Sequence, residues 1–197
     1  MKKRVAREAA LLLYTAQEKE YKQAKRRAAE NLGARMLPSN LEVARELDAI
    51  AEETEGASRQ KRLVQMRKEA LKILQTLESF NPRLVGSVWR GAINKNSDID
   101  IVAFSSKPDA VLAQLQKSGF SIVKTERLSV TKEGRKETSF HIYLALPSGN
   151  EAEVVVRSAE EVNRYERCEI YGDIVTGLNS SQLAKVLKEN PLARFVP

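Results

Sequence analysis

The segment 86–102 constrains the fold more than any other part of the chain. The short apolar stretch 83–85 leads into a Gly-Ser turn at Gly86 and Ser87, and an apolar strand then carries Asp98 and Asp100. Side chains at positions i and i+2 of a strand point to the same face. The two carboxylates should therefore project together, while the isoleucines of the same strand enter the core.

A paired carboxylate beside a glycine turn indicates metal and phosphate chemistry. Adjacent carboxylates repel each other, and a divalent cation neutralises that repulsion. The backbone N–H groups of a glycine turn approach a phosphate closely, and the Ser87 hydroxyl adds a donor. Together these are the groups that a protein needs to transfer a nucleotide from a triphosphate.

A third carboxylate is expected from the predicted strand 151–157. Glu151 and Glu153 share one face of that strand by the same alternation. We choose Glu153, because its backbone lies inside the sheet, whereas Glu151 follows a turn and is easily solvated. The alternative for Glu153 is a solvent-facing residue or a partner for Arg157.

This pattern resembles the nucleotidyltransferase superfamily, which includes DNA polymerase beta, CCA-adding enzymes and small bacterial and archaeal nucleotidyltransferases. The resemblance covers roughly residues 63–157: Gly86-Ser87, about ten residues, Asp98-Ile99-Asp100, and later Glu153. Arg90-Gly91 also resembles the Arg-Gly of archaeal CCA-adding enzymes. The third acid is Glu where many relatives have Asp, and no C-terminal tRNA-binding domain is recognisable, so CCA addition is not expected.

The resemblance implies transfer of a nucleoside monophosphate from a nucleoside triphosphate, with release of pyrophosphate. It implies that Gly86 and Ser87 hold the triphosphate and that Asp98 and Asp100 bind Mg²⁺, with Mn²⁺ as the alternative metal. Glu153 would be the third ligand or the base. Arg90 is a candidate phosphate contact on the same ground. Lys95, in the loop before the aspartates, is a further candidate, although a solvated loop lysine is the default.

The sequence predicts an α+β fold, a mixed β-sheet nucleotidyltransferase core with helices on it, preceded by a helical N-terminal segment. We place the helical segment at 1–56 and the nucleotidyltransferase-like domain at 57–197. Predicted helices cover 3–32, a stretch starting at about 40, 58–79, 108–119, 158–168 and 181–189. Predicted strands cover 83–85, 98–104, 121–128, 140–146 and 151–157, with a turn at 131–136.

Composition limits the partners and the location. The chain has 197 residues and a net charge of +7, with basic groups concentrated in its first half, which favours RNA or simply a solvated helix face. Its single cysteine, Cys168, excludes an internal disulfide and fits the cytoplasm. No apolar run is long enough for a membrane span. The first helix is a candidate arm for a homo-oligomer.

Two residues and two further functions stay open. His141, the one histidine, either faces the site or is structural, and the structural role is favoured. Trp89 either stacks on a base or packs in the core. A non-catalytic nucleotide- or RNA-binding module and an antitoxin-like interaction protein compete with the enzyme, and the triphosphate and the acceptor are not specified.

Overall fold

The computed structural model describes residues 1–132 and 135–197. It has the expected α+β architecture, with helices packed on a mixed five-stranded sheet and a helical segment before it. The helices are α1 (Lys2–Tyr14), α2 (Tyr21–Asn31), α3 (Asn40–Thr76), α4 (Gly86–Arg90), α5 (Pro108–Lys117) and α6 (Ser180–Glu189). The strands are β1 (Arg83–Val85), β2 (Ile99–Phe104), β3 (Ser121–Lys132), β4 (Arg135–Ala145) and β5 (Glu151–Arg157).

The sheet has the strand order β1-β2-β5-β4-β3. Strands β2 and β5 are parallel, and the other neighbours are antiparallel. Alternate residues of β2 and β5 are buried under α3 and α5, as the period of two predicts. The opposite residues of these strands form an open face, which carries the candidate site.

Two separate apolar clusters hold the chain together. One joins the sheet to the second half of α3, to α5 and to α6. The other is rich in alanine and joins α1 and α2 to the first half of α3. Most apolar residues of α1 are thus covered within the chain, and Leu11 stays exposed. The division into domains at 56/57 and the oligomer stay predictions.

The expected single helix over 3–32 is wrong. The chain leaves α1 at Thr15, passes through Ala16 in a left-handed conformation with φ of 56°, and starts α2 at Tyr21. No glycine or proline marks this break, so the helix propensity of the residues alone predicts one continuous helix there. The break lets α2 fold back on α1, and the small alanines on both helices permit close packing.

The other helix boundaries follow local chemistry. Ser39 and Glu42 form the expected capping box, and Gly56, with φ of 48° and ψ of −129°, breaks α3 where two helices were predicted. The expected helix over 158–168 is wrong. Ser158 makes no capping bond, and only a short 3₁₀ turn forms, at Ala159–Asn163.

Two sequence predictions concern the rest of the surface. The predicted turn at 131–136 falls on residues 133 and 134, which lie outside the described residues, while the residues on either side belong to β3 and β4. No helix in the described parts of the chain is long and apolar enough to cross a membrane.

Candidate active site

The structure brings the three predicted carboxylates to one end of the open sheet face. Asp100 lies in β2, and Asp98 lies immediately before that strand. Glu153 is the register partner of Asp100 on the parallel strand β5. Neighbouring strands are about 4.8 Å apart, so these two side chains start side by side. Glu151 is exposed at the start of β5, and the register favours Glu153 as the third acid.

Burial and mutual repulsion dominate the electrostatics of these acids. Burial, reinforced by the charges of Asp98 and Glu153, raises the pKa of Asp100 to about 8. Burial also raises the pKa of Asp98, and the charges of Glu153 and Glu151 add to the effect. No cation balances this negative charge within the described protein atoms, as the direction of both pKa shifts reflects.

Gly86 leaves the space that the Asp100 carboxyl group occupies. It has a φ of 68°, and a Cβ at this position would overlap Asp100 Oδ2. A side chain at residue 86 is therefore excluded both by the backbone conformation and by the contact. The glycine turn and the acid pair, separate features in the sequence, are thus one structural unit.

His141 lies against the candidate acid Glu153, a position that sequence reasoning did not favour. Its Nδ1 lies 2.6 Å from Glu153 Oε1, and its Nε2 lies 2.8 Å from the Ser139 hydroxyl. The side chain faces the site, because β4 pairs antiparallel with β5 and places His141 opposite Val155 and next to Glu153. Alternation along β4 could have shown which face it takes only if the strand register were known.

Tyr143 borders the same acid from β4. It is the register partner of Glu153. Burial raises the pKa of Tyr143, and the carboxylates of Glu153 and Glu126 add to the rise. Of these two side chains, His141 makes the hydrogen bond to Glu153, whereas the Tyr143 hydroxyl lies near Glu153 and donates to Glu126 at 3.2 Å.

Three further residues were predicted for the site, and each has its own surroundings: Ser87, Lys95 and Arg90. Ser87 is half-buried in the first turn of α4. Lys95 is exposed in the loop before β2, with its Nζ 4.6 Å from the centre of the Tyr14 ring. Arg90 is buried and donates to both carboxylate oxygens of Asp173, at 2.7 and 3.0 Å, so its guanidinium is engaged by the protein itself.

Trp89 also has a packing role. It is buried in the main core cluster and lies under the Arg90 guanidinium. The same guanidinium also lies over the Tyr171 ring, at 4.4 Å. The structure thus places Trp89 in the core, one of the two roles open from sequence.

A buried arginine anchors α4, the short helix that begins with Gly86 and Ser87. Arg67 is fully buried and donates to the carbonyl oxygens of Val88 and Trp89 in α4. It also donates to the carbonyls of Pro191 and Ala193, each at 2.8 Å. Burial lowers its pKa to about 10. The chain segment after α6 is thereby fastened to the helix beside the site.

The loop between α4 and β2 is held by the N-terminal helical segment. The Asn96 amide donates to the carbonyl oxygens of Tyr14, at 2.9 Å, and Leu13, at 3.3 Å. Glu55 of α3 accepts the backbone N–H of Lys95 at 2.8 Å. The loop that precedes Asp98 is therefore braced by α1 and by the first half of α3.

The oxygen donors fit a hard divalent cation by their chemistry. Asp98, Asp100 and Glu153 supply only carboxylate oxygen, which Mg²⁺ and Mn²⁺ prefer. Within residues 1–132 and 135–197, no three Asp, Glu, His or Cys side chains form a compact cluster ready to hold a metal ion. Asp100 and Glu153 are register partners, and Asp98 lies two residues before Asp100, so the three side chains would have to close around a cation.

Part of this chain resembles part of one solved protein structure. Among solved structures, that of Cid1 in complex with the UTP analogue UMPNPP aligns with 18% sequence identity and a TM-score of 0.35. The alignment covers 51% of this chain and 32% of that chain, about a third of its length. A search of curated proteins found no match.

A family profile gives the assignment. The profile described as nucleotidyltransferase domain matches residues 67–173, more than half of the 197 residues. The matched region begins at the anchoring Arg67 and includes the glycine turn and all three carboxylates. This chain belongs to the nucleotidyltransferase domain family.

Proposed function

We propose that this protein is a metal-dependent enzyme that transfers a nucleoside monophosphate from a nucleoside triphosphate to an acceptor hydroxyl and releases pyrophosphate. The observation that carries the proposal is the pairing of Asp100 with Glu153 on parallel strands, with Gly86 against the Asp100 carboxyl group. Membership of the family supports nucleotidyl transfer in general.

Each residue has a role that follows from its place. Asp98, Asp100 and Glu153 would hold Mg²⁺ or Mn²⁺, which when bound supplies charge stabilisation for the reacting phosphates. The missing side chain of Gly86 leaves room for the Asp100 carboxyl group, and the backbone N–H groups of the turn, with the Ser87 hydroxyl, would donate to triphosphate oxygens. Arg90 is left out of this set, because Asp173 already holds it.

His141 would act as a positioning residue for Glu153. A carboxylate that ligates a metal needs a defined orientation, and a hydrogen bond from a second residue supplies it. The contact from His141 Nδ1 fixes Glu153 Oε1 and leaves the other carboxylate oxygen for the cation or the acceptor proton. Ser139, on the far nitrogen, holds the imidazole in place.

Transfer of a labelled nucleotide tests the proposal. The protein is incubated with each α-labelled nucleoside triphosphate and Mg²⁺ or Mn²⁺, with and without total RNA, and the products are separated by gel and mass analysis. Asp98→Asn and Asp100→Asn should abolish transfer. Asp109→Asn is the matched control, since Asp109 is exposed on α5 and pairs with Arg127 away from the site.

The products identify the acceptor class. Labelled RNA would support the predicted RNA partner, and labelled protein would indicate self-modification. The basic first half is a weaker argument for RNA than its composition indicates, because Arg59, Arg62 and Arg67 are engaged within the chain. Binding of nucleotide without any transfer would instead favour the non-catalytic binding module. Location in the cytoplasm stays a prediction from the single cysteine.

A further inference from the structure

The open face of the sheet continues past the carboxylates into a small pocket. It lies between β1, β2, β5 and the segment after β5, and encloses about 90 Å³. Three guanidinium groups line it, from Arg83, Arg157 and Arg164, together with one carboxylate, from Glu166. Apolar side chains of β1 and β2 form its floor.

The pocket and the acids share one face at defined spacings. Arg83 is the register partner of Val102, which lies two residues after Asp100 on β2. Arg157 lies four residues after Glu153 on β5, so the two side chains face the same way, roughly 13 Å apart along the strand. Gly86 lies beyond Asp100 in the other direction along the sheet. The carboxylates therefore lie between the glycine turn and the arginine pocket.

Arg83 is held rigidly without a carboxylate partner. Its guanidinium lies over the ring of Tyr165, at 4.7 Å, and over that of Phe104, at 5.4 Å. It donates to the carbonyl oxygen of Val162 at 2.7 Å. Among the described residues, no Asp or Glu lies within ion-pair distance of it. A half-buried guanidinium oriented in this way is preorganised to bind an anion in a defined plane.

The charge around the pocket stays positive. Arg157 contacts Glu166 at 3.0 Å, and Arg164 contacts Glu161 at 3.7 Å. Three guanidinium groups thus face one lining carboxylate. The apolar floor lowers the local dielectric and strengthens attraction for an anion. The volume suits a single phosphate group, and paired N–H donors of arginine match its oxygens.

We propose that this pocket binds a phosphate group of the acceptor, on the side of the carboxylates opposite the glycine turn. This inference rests on the proposed function and narrows it to acceptors that carry a phosphate beyond the reacting hydroxyl. A phosphodiester of an RNA strand and a small phosphate monoester offer the same chemistry. The test separates these two sources.

Binding is first measured without nucleotide and with a chelator, so that the result does not depend on transfer activity. Inorganic phosphate is titrated by calorimetry or ³¹P NMR into the full chain and its variants. Arg83→Gln should weaken phosphate binding about tenfold, as loss of a charge-assisted contact predicts. Arg45→Gln removes the same charge from an exposed position on α3 and should leave binding unchanged.

A variant that gains affinity guards against loss through misfolding. Glu166→Gln removes the carboxylate that competes for Arg157, so phosphate should bind about threefold to tenfold more tightly. A 5′-phosphorylated short oligoribonucleotide, its unphosphorylated form and glycerol phosphate are then compared. If both oligoribonucleotides bind more tightly than glycerol phosphate, the pocket binds a phosphodiester of RNA. If glycerol phosphate binds as tightly as the oligoribonucleotides, the pocket binds a phosphate monoester.

Two results would overturn the inference while leaving the proposed transfer reaction intact. One is phosphate affinity that is unchanged in Arg83→Gln and in Glu166→Gln. The other is a rise in the KM for the nucleoside triphosphate, with the KM for the acceptor unchanged, in Arg83→Gln, because the pocket would then serve the triphosphate. Absence of transfer in the wild type, with normal phosphate binding, would contradict the proposed function alone.

Discussion

Gly86 lies directly against the carboxyl group of Asp100, and a Cβ at residue 86 would overlap Asp100 Oδ2. The glycine therefore does more than permit a turn, because it also determines where the second aspartate of the pair can lie. This contact links the proposed triphosphate-binding turn to the proposed metal ligands, and it leads to the first prediction.

Gly86→Ala should reduce nucleotidyl transfer by on the order of 100-fold, because the Asp100 carboxylate must move by more than the 1 Å misplacement that already costs such a factor. Gly33→Ala is the matched control. Gly33 also has a positive φ, of 59°, but nothing lies within 4 Å of a Cβ there. Both variants carry the backbone strain, and only Gly86→Ala displaces Asp100. Equal activity in the two variants would contradict this reading.

The raised pKa of Asp100 predicts how stability depends on pH. The folded state binds a proton at Asp100, with a pKa of about 8, that the unfolded state releases at its ordinary value of 3.8. The folded state binds more protons between these values, so stability falls as the pH rises through this window. Asp100→Asn removes the effect, since an amide is neutral in both states.

Asp100→Asn should therefore stabilise the protein, and by on the order of 2–3 kcal/mol more at about pH 7.5 than at about pH 5. Urea unfolding at the two pH values measures the difference. Mg²⁺ should raise the melting temperature of the wild type and not that of Asp100→Asn, because a ligand that binds only the folded state stabilises it. Equal stability of variant and wild type at the higher pH would refute the burial argument.

His141→Ala should lower transfer by about 10-fold to 100-fold and raise the Mg²⁺ concentration needed for half-maximal rate, as loss of a hydrogen bond to a metal ligand does. His141→Asn retains a side-chain N–H donor and should recover part of the activity. Ser139→Ala should have a smaller effect, since Ser139 contacts the other ring nitrogen. An unchanged Mg²⁺ requirement in His141→Ala would show that His141 has only a structural role in the sheet.

Arg67→Met should destabilise the protein by on the order of 3–5 kcal/mol, because it leaves several buried carbonyl oxygens without donors. These carbonyls belong to α4 and to the segment after α6, so both should loosen together. Urea unfolding gives the loss in stability. Arg45→Met, on the exposed side of α3, should change it by less than about 0.5 kcal/mol. Similar losses for the two variants would argue against the anchor.

Asn96→Ala should slow transfer by about threefold to tenfold with a loss in stability near 1 kcal/mol, since two hydrogen bonds that hold the loop are lost. Asn163→Ala, at an exposed position after β5, serves as the control. A normal rate in Asn96→Ala would show that the loop holds its shape without the helical segment.

Features with local causes were predictable from the sequence. The alternation of β2 placed Asp100 on the face opposite the buried isoleucines, the capping box started α3 at Asn40, and Gly56 divided that helix. The strand β5 has the predicted bounds, Glu151–Arg157. Each of these depends on neighbours within a few residues, where propensity and periodicity operate.

Features that depend on distant partners were not predictable. The contact of His141 with Glu153 requires the register between β4 and β5, and the engagement of Arg90 requires Asp173, 83 residues away. The break after α1 passes through Ala16, which carries no turn signal. The packing of α2 against α1 stabilises this break. Tertiary contacts override local propensity at these points.

The hydrogen bond from Asn96 to the Tyr14 carbonyl joins the loop before Asp98 to a helix outside the matched region 67–173. Relatives aligned over that region alone could share every acidic residue and still differ in how firmly this loop is braced. Differences in turnover within the family would then originate in a helical neighbour that the common alignment never compares.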